Sequence, residues 1–185
     1  MPWVSGLVRC GALAVALALV GCAEPVRERF TVQREGDLYF VREKQGWFSA
    51  LFPCPPTFSR VHVGTRKVRM IHGACDADGQ AYSLTFGRFL ELAQGASSID
   101  QIYEAAAREL ETWREGQRTS MSLVMLAGRP ARYLSFAGID GAAMNAHVWF
   151  LWAPEQQALY QVMVVGAAGR AQGERLARSL LVPSP

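Results

Sequence analysis

A succession of β-periodic runs cut by short turn sequences constrains this chain more than any other feature. Arg29 to Gln33 and Leu38 to Val41 flank Arg34-Glu35-Gly36-Asp37, a hairpin pattern with glycine in the turn. Trp47 to Phe52 is an aromatic-rich run stopped by Pro53-Cys54-Pro55-Pro56, because proline cannot donate to a strand ladder. Val61 to Ala74 and Ala81 to Phe89 read as two strands around Cys75-Asp76-Ala77-Asp78-Gly79. Further on, Thr119 to Ala127 turns at Gly128-Arg129-Pro130, Ala131 to Ala137 turns at Gly138 to Gly141, and Met144 to Trp152 turns at Pro154-Glu155 before Ala158 to Val165. Turns this short join antiparallel neighbours. Val148 to Trp152 is apolar at every position and reads as a central strand covered on both sides.

Two stretches carry a helical period instead. Ser98 with Gln101 three residues on forms a capping pattern, and Ile99, Ile102, Ala106, Leu110 and Trp113 recur at helical spacing until Gly116. Its other face carries Glu104, Arg108, Glu111 and Arg114, which read as a solvated row of i,i+4 pairs rather than a catalytic carboxylate pair. A second helix is expected from Arg170 to Leu181, with Leu176, Ala177, Leu180 and Leu181 on one face and Pro183 beyond its end. The expected fold class is therefore α+β, an antiparallel β-sheet flanked by two main helices.

The first 21 residues stand apart. Arg9 supplies the positive charge, Cys10 to Gly21 is uncharged and apolar, and Glu24 and Pro25 close the run, which is the layout of a secretory signal rather than a membrane span. Leu19-Val20-Gly21-Cys22 resembles the lipobox of bacterial lipoproteins, in which the peptide is cut before the cysteine and the cysteine takes lipid. The resemblance implies membrane attachment through Cys22, and Ala23 after it implies the periplasmic face of a Gram-negative outer membrane. Each buried methylene of an acyl chain contributes ~0.8 kcal/mol, and more than one chain makes such an anchor stable.

The expected division is then a removed signal over 1–21, a tether over 22–28, and one domain over 29–185, a size typical of a single core. If the hairpin begins at residue 29, the tether reaches at most ~25 Å. Half of the 185 residues are apolar or aromatic and 19% are charged, so the composition is that of a folding chain. Without Arg9 the basic side chains number 18 against 16 acidic, a surplus of two, too small to argue for nucleic acid. With Cys10 removed and Cys22 acylated, Cys54 and Cys75 remain. An even pair in an oxidising compartment is a disulfide candidate, the alternative being two separate buried thiols.

The order of elements also resembles a family. Trp47-Phe48-Ser49-Ala50-Leu51-Phe52-Pro53, the mid-chain amphipathic helix, Gly128-Arg129-Pro130-Ala131-Arg132-Tyr133, the strand hairpin and the closing helix ending Arg178-Ser179-Leu180 look like the PsbP-like domains. The resemblance implies an α/β/α sandwich over roughly Trp47 to Val182. Plant members are extrinsic subunits of photosystem II, and many bacterial relatives, lipoproteins among them, have no assigned activity. It carries over the fold and no functional residue.

Motifs of catalysis are missing. Neither Gly-x-Ser-x-Gly nor a phosphate-binding loop occurs, and His62, His72 and His147 lie on expected strands without paired-ligand spacing. His72, Cys75, Asp76 and Asp78 are the nearest approach to a metal cluster, but Asp78-Gly79 reads as a turn. Arg60, Arg66, Lys67 and Arg69 form a basic stretch, a candidate for anionic lipid or polymer or, more simply, the guarded edge of a sheet. Trp149 and Trp152 point to opposite faces of an extended segment and read as core. The expected function is a membrane-anchored, non-catalytic binding or assembly module with an envelope protein partner, no nucleic acid, no metal and no cofactor. The alternatives are a carrier of a small apolar or anionic ligand, or a hydrolase whose His72 or His147 meets a serine or carboxylate only after folding.

Overall fold

The computed structural model describes residues 24–63, 68–88, 98–114, 117–138, 144–167 and 170–183. The strands are β1 (Glu24–Pro25), β2 (Phe30–Glu35), β3 (Leu38–Glu43), β4 (Ser49–Phe52), β5 (Thr57–Val63), β6 (Val68–Ala77), β7 (Gln80–Arg88), β8 (Gln117–Leu126), β9 (Arg129–Ala137), β10 (Asn145–Ala153) and β11 (Ala158–Gly166). Helix α1 (Ile99–Arg114) separates β7 from β8, and α2 (Arg170–Ser179) follows β11.

The main sheet has eight strands in the order β1-β5-β6-β7-β11-β10-β9-β8, and β2-β3-β4 form a second sheet of three. Every neighbouring pair is antiparallel. This corrects the expected α+β sandwich, one sheet flanked by two main helices. The molecule is mostly β, its helices are short, and strands form both principal layers. The N-terminal third accounts for the difference. Its runs are short enough to read as a hairpin plus a stray strand, yet Phe30, Val41, Ala50 and Phe52 are buried and join the core of the main sheet.

Burial explains how the layers meet. Phe30 stacks on Phe58 of β5 with ring centroids 3.8 Å apart, and Phe48 meets Phe86 of β7 edge-on at 5.1 Å. Phe58 itself lies flat against Gly73 of β6, where an added Cβ would stand 2.2 Å from its ring, so only glycine leaves room for that ring. Beside the small sheet, α2 seats Leu176, Ala177 and Leu180 in the same core, with Trp149, Val162 and Val164 beneath. The end of α2 is tied to β4: Ser49 and Leu181 exchange backbone bonds of 3.0 and 2.8 Å, and the Leu51 amide donates to Ser179 Oγ at 2.8 Å. On the opposite face of the main sheet, α1 packs Tyr103 and Ala107 over Leu134, Val148 and Phe150.

Several local expectations hold. Gly36-Asp37 turns β2 into β3, Trp149 and Trp152 face opposite sides of β10, and α1 is capped reciprocally by Ser98 and Gln101. Others move. Val61 to Ala74, expected as one strand, belongs to two, β5 and β6. The turn between β8 and β9 is Ala127-Gly128, both at positive φ, so Pro130 falls inside β9. The β10 ladder reaches only Ala131 there, so the missing proline N–H costs β9 no bond to β10. The stretch expected as a tether includes β1, which pairs Glu24 with Arg60 and Pro25 with Ser59, and a 3-10 turn at Arg27–Arg29.

Candidate functional site

Among the described residues, those singled out in the sequence are brought together only at Cys54 and Cys75. Cys22, Arg66 and Lys67 lie outside the described residues, as does the side chain of Arg69, whose backbone stands opposite His62. Arg60 is half-buried in β5, opposite Ile71. Cys54 and Cys75 do form a disulfide, their Cα atoms 5.8 Å apart, which fastens the segment after β4 to β6. Strand alternation sends Cys75 to one face of β6 and His72 and Asp76 to the other. Among the described residues no three His, Cys, Asp or Glu side chains gather as a metal site.

His72 is 8% exposed and its Nδ1 lies 2.9 Å from Thr85 Oγ1 on β7. Burial lowers its pKa from the ordinary 6.5 to about 4, so it is a neutral core residue at pH 7. The unfolded chain takes up this proton near pH 6.5 and the folded protein only near pH 4, so stability is full above 6.5 and falls as pH drops toward 4. About 2 kcal/mol is expected to disappear between about pH 7.5 and 5 from this group. Urea midpoints at the two pH values measure it. His72→Gln should flatten the dependence, and a native midpoint that does not move would contradict a buried neutral imidazole.

One polar cluster does assemble, across the ends of β8, β9 and β10. The ladders set Ser135 opposite both His147 and Ser120, and Tyr133 opposite Trp149, so alternation puts Tyr133, Ser135 and His147 on one face. Tyr133 Oη is 2.8 Å from His147 Nδ1, and the two rings are almost parallel. Ser135 Oγ lies 2.7 Å from the hydroxyls of Thr119 and Ser120. From α2, the Arg170 guanidinium sits over the Tyr133 ring, 4.3 Å from its centroid. Arg170 also pairs with Glu174 at 3.5 Å, and Glu174 with Arg178 at 2.6 Å.

Electrostatics decide the protonation. Burial, helped by the Arg170 charge, holds the His147 pKa below its usual range. Burial pushes the Tyr133 phenol up, against the opposing pull of Arg170 and a Ser135 hydrogen bond. At neutral pH the phenol therefore keeps its proton and the imidazole is neutral. The assignment that suits both has Tyr133 donating to Nδ1, which leaves the His147 proton on Nε2 as a donor. With the exposed hydroxyls of Thr119 and Ser120 and the edge of Arg170, the cluster is rich in hydrogen-bond donors and carries one compensated cation. It is equipped to hold an oxygen-bearing group. A nucleophile relay would need a carboxylate orienting the imidazole, and here Nδ1 is taken by a phenol.

His147 read in isolation gave no sign of this. The signal was the hairpin: counting back from the turn at Gly138 to Gly141 pairs His147 with Ser135 once the register is known, and alternation adds Tyr133. The charged face of α1 keeps one of the expected i,i+4 pairs, Glu104 with Arg108 at 3.6 Å, but its carboxylates turn mainly to the sheet. Arg118 of β8 holds Glu104 through two bonds of 2.8 and 2.9 Å and Glu111 through one of 2.7 Å, pinning the helix to the sheet.

Fold and cluster together define a two-sheet antiparallel protein with a donor-rich polar patch at one end of its main sheet. Neither the models of known protein families nor the curated protein sequences match this chain.

Proposed function

We propose that the chain is a lipid-anchored envelope protein that works as a binding or assembly module rather than as an enzyme. The observation that carries this reading is Leu19-Val20-Gly21-Cys22 at the close of an apolar, uncharged run. The Cys54–Cys75 disulfide supports it, since such bridges persist in oxidising compartments. Sheet pairing starts at Glu24, so Ala23 alone separates an acylated Cys22 from the first residue of the ladder. An anchor that short holds the domain against the bilayer, because two residues span only ~7 Å.

Register relates the anchored strand to the polar cluster. Glu24 shares a row with Arg60, Ile71, Phe86, Tyr160, Leu151 and Ala131, and β1 enters that row from the end of the sheet where β5 gives way to β6. His147 lies four residues from Leu151 toward the other end, roughly 13 Å along the strand. The polar cluster therefore lies toward the end of the sheet away from the anchored strand, open to a partner.

Cys22→Ala is the test. The native protein is expected in the membrane fraction with acyl mass at Cys22, and the variant uncleaved or released. A variant that stays membrane-bound and correctly processed would end the proposal.

A further inference from the structure

The long edge of the main sheet is undefended. On β8, Met121, Leu123 and Met125 alternate along one face with 54%, 64% and 61% of their surface exposed. Natural edge strands block further pairing with charge, proline or brevity. At the opposite edge the described residues place β1, Glu24–Pro25, against β5. β8 is ten residues long, Arg118 near its start is its one charge, and from Thr119 to Leu126 it offers neither a charge nor a proline. Among the described residues no strand pairs with its outer side.

We propose that β8 pairs antiparallel with β8 of a second copy of this chain, about a two-fold axis at Leu123, joining the two main sheets into one. Met121-x-Leu123-x-Met125 is apolar on both sides of its centre, so a two-fold contact there sets each apolar side chain against another, the self-complementarity an isologous interface needs. In that register Leu123 meets Leu123 of the second copy and Met121 meets Met125, all on the face that carries α1. Ser120 falls opposite Leu126 and Ser122 opposite Val124, while Gln117 and Arg118 extend past the second copy's turn at Ala127-Gly128. No like charges oppose each other, and Arg118 and Arg129 already hold Glu104 and Glu155.

A bilayer fits this stripe less well. On the same face, one strand in, Arg132 pairs with Asp100, so an ion pair would enter the lipid beside Leu123. The area sets the strength. One strand pair with three apolar side chains per copy falls near or below the ~1,200 Å² at which stable interfaces begin, so the dimer is weak and concentration-dependent.

Cysteine placed along β8 of the full chain reads the register. Leu123→Cys is expected to give a disulfide-linked dimer under mild oxidation, because directly opposed residues have Cβ atoms ~5 Å apart. Met121→Cys alone should not, its counterpart lying four residues along, ~13 Å away. Met121→Cys together with Met125→Cys should link again. Without cysteine chemistry, Leu123→Lys is expected to raise the dimer dissociation constant about tenfold or more in sedimentation, with an unchanged circular dichroism spectrum. Equal linking at Leu123→Cys and Met121→Cys, a native chain monomeric at every concentration, or linkage of Leu123→Cys mainly to a different protein would each overturn the pairing.

Discussion

Glu43→Ala is expected to cost about 3 kcal/mol of stability, the lower end of the range for breaking a buried ion pair. The carboxylate at the end of β3 is fully buried, and three groups depend on it. Arg29 Nε donates to Oε1 at 2.5 Å, and the backbone amides of Gln45 and Trp47 donate to Oε2 at 2.8 and 3.2 Å. The loop between β3 and β4 is wound around these bonds, closed by Glu43 N donating to Phe48 O at 3.0 Å. Alanine would leave two amides and a guanidinium without this acceptor where they are only partly open to water. The Arg29 side chain is 32% exposed and can recover part of its hydration, which is why the lower end applies.

The loss matters because a domain has only about 5–15 kcal/mol to lose. The loop also carries Phe48 into the core and places Trp47 O to accept from Tyr160 Oη at 3.0 Å, so the docking of the small sheet should loosen with it. Urea unfolding of native, Glu43→Ala and Glu43→Gln proteins measures the effect. Gln, which keeps one acceptor oxygen and the shape, is expected to fall between. A loss under about 1 kcal/mol for alanine would show that the carboxylate does not organise the loop.

Removing the disulfide should be comparably severe. Cys54 and Cys75 close a loop with a sequence separation of 21, for which chain entropy predicts about 3 kcal/mol of stabilisation. The bridge also joins the exit of β4 to β6, so its loss frees the small sheet from the main one along the covalent path as well. The double variant Cys54→Ala and Cys75→Ala is expected to be less stable by about 3 kcal/mol, read from urea unfolding as a lower midpoint. Reductant should lower the native midpoint and leave the variant unmoved. Equal midpoints for native and variant would reject a structural role for the bridge.

Much of the local architecture was legible because it is decided within a few residues. Gly36 and the Asp78-Gly79 pair supply the positive φ their turns require, and Ser98 and Gln101 cap α1 through bonds between residues three apart. The uninterrupted apolar run of β10 announced a strand covered on both faces, and both cores claim it. The second layer was not legible. β2 shows five exposed residues out of six, and only Phe30 reveals that it covers anything. The break between β5 and β6 was hidden for a similar reason, since β-branched and apolar residues continue through Val61, Val63 and Val68 without a strong turn signal.

Taken alone, the sequence determined the hairpin at Gly36-Asp37, the two helices, a cysteine pair able to bridge and an apolar run closing at Cys22. These depend on backbone preference, side-chain period and spacing along the chain. Tertiary structure alone decided that three short strands form a second sheet, that Glu43 is sealed inside while its neighbours face water, that Ser135 and Tyr133 meet His147, and that among the described residues β8 is an edge. Burial and strand register are properties of residues far apart in the chain, and a one-residue change of register would carry each of these side chains to the opposite face.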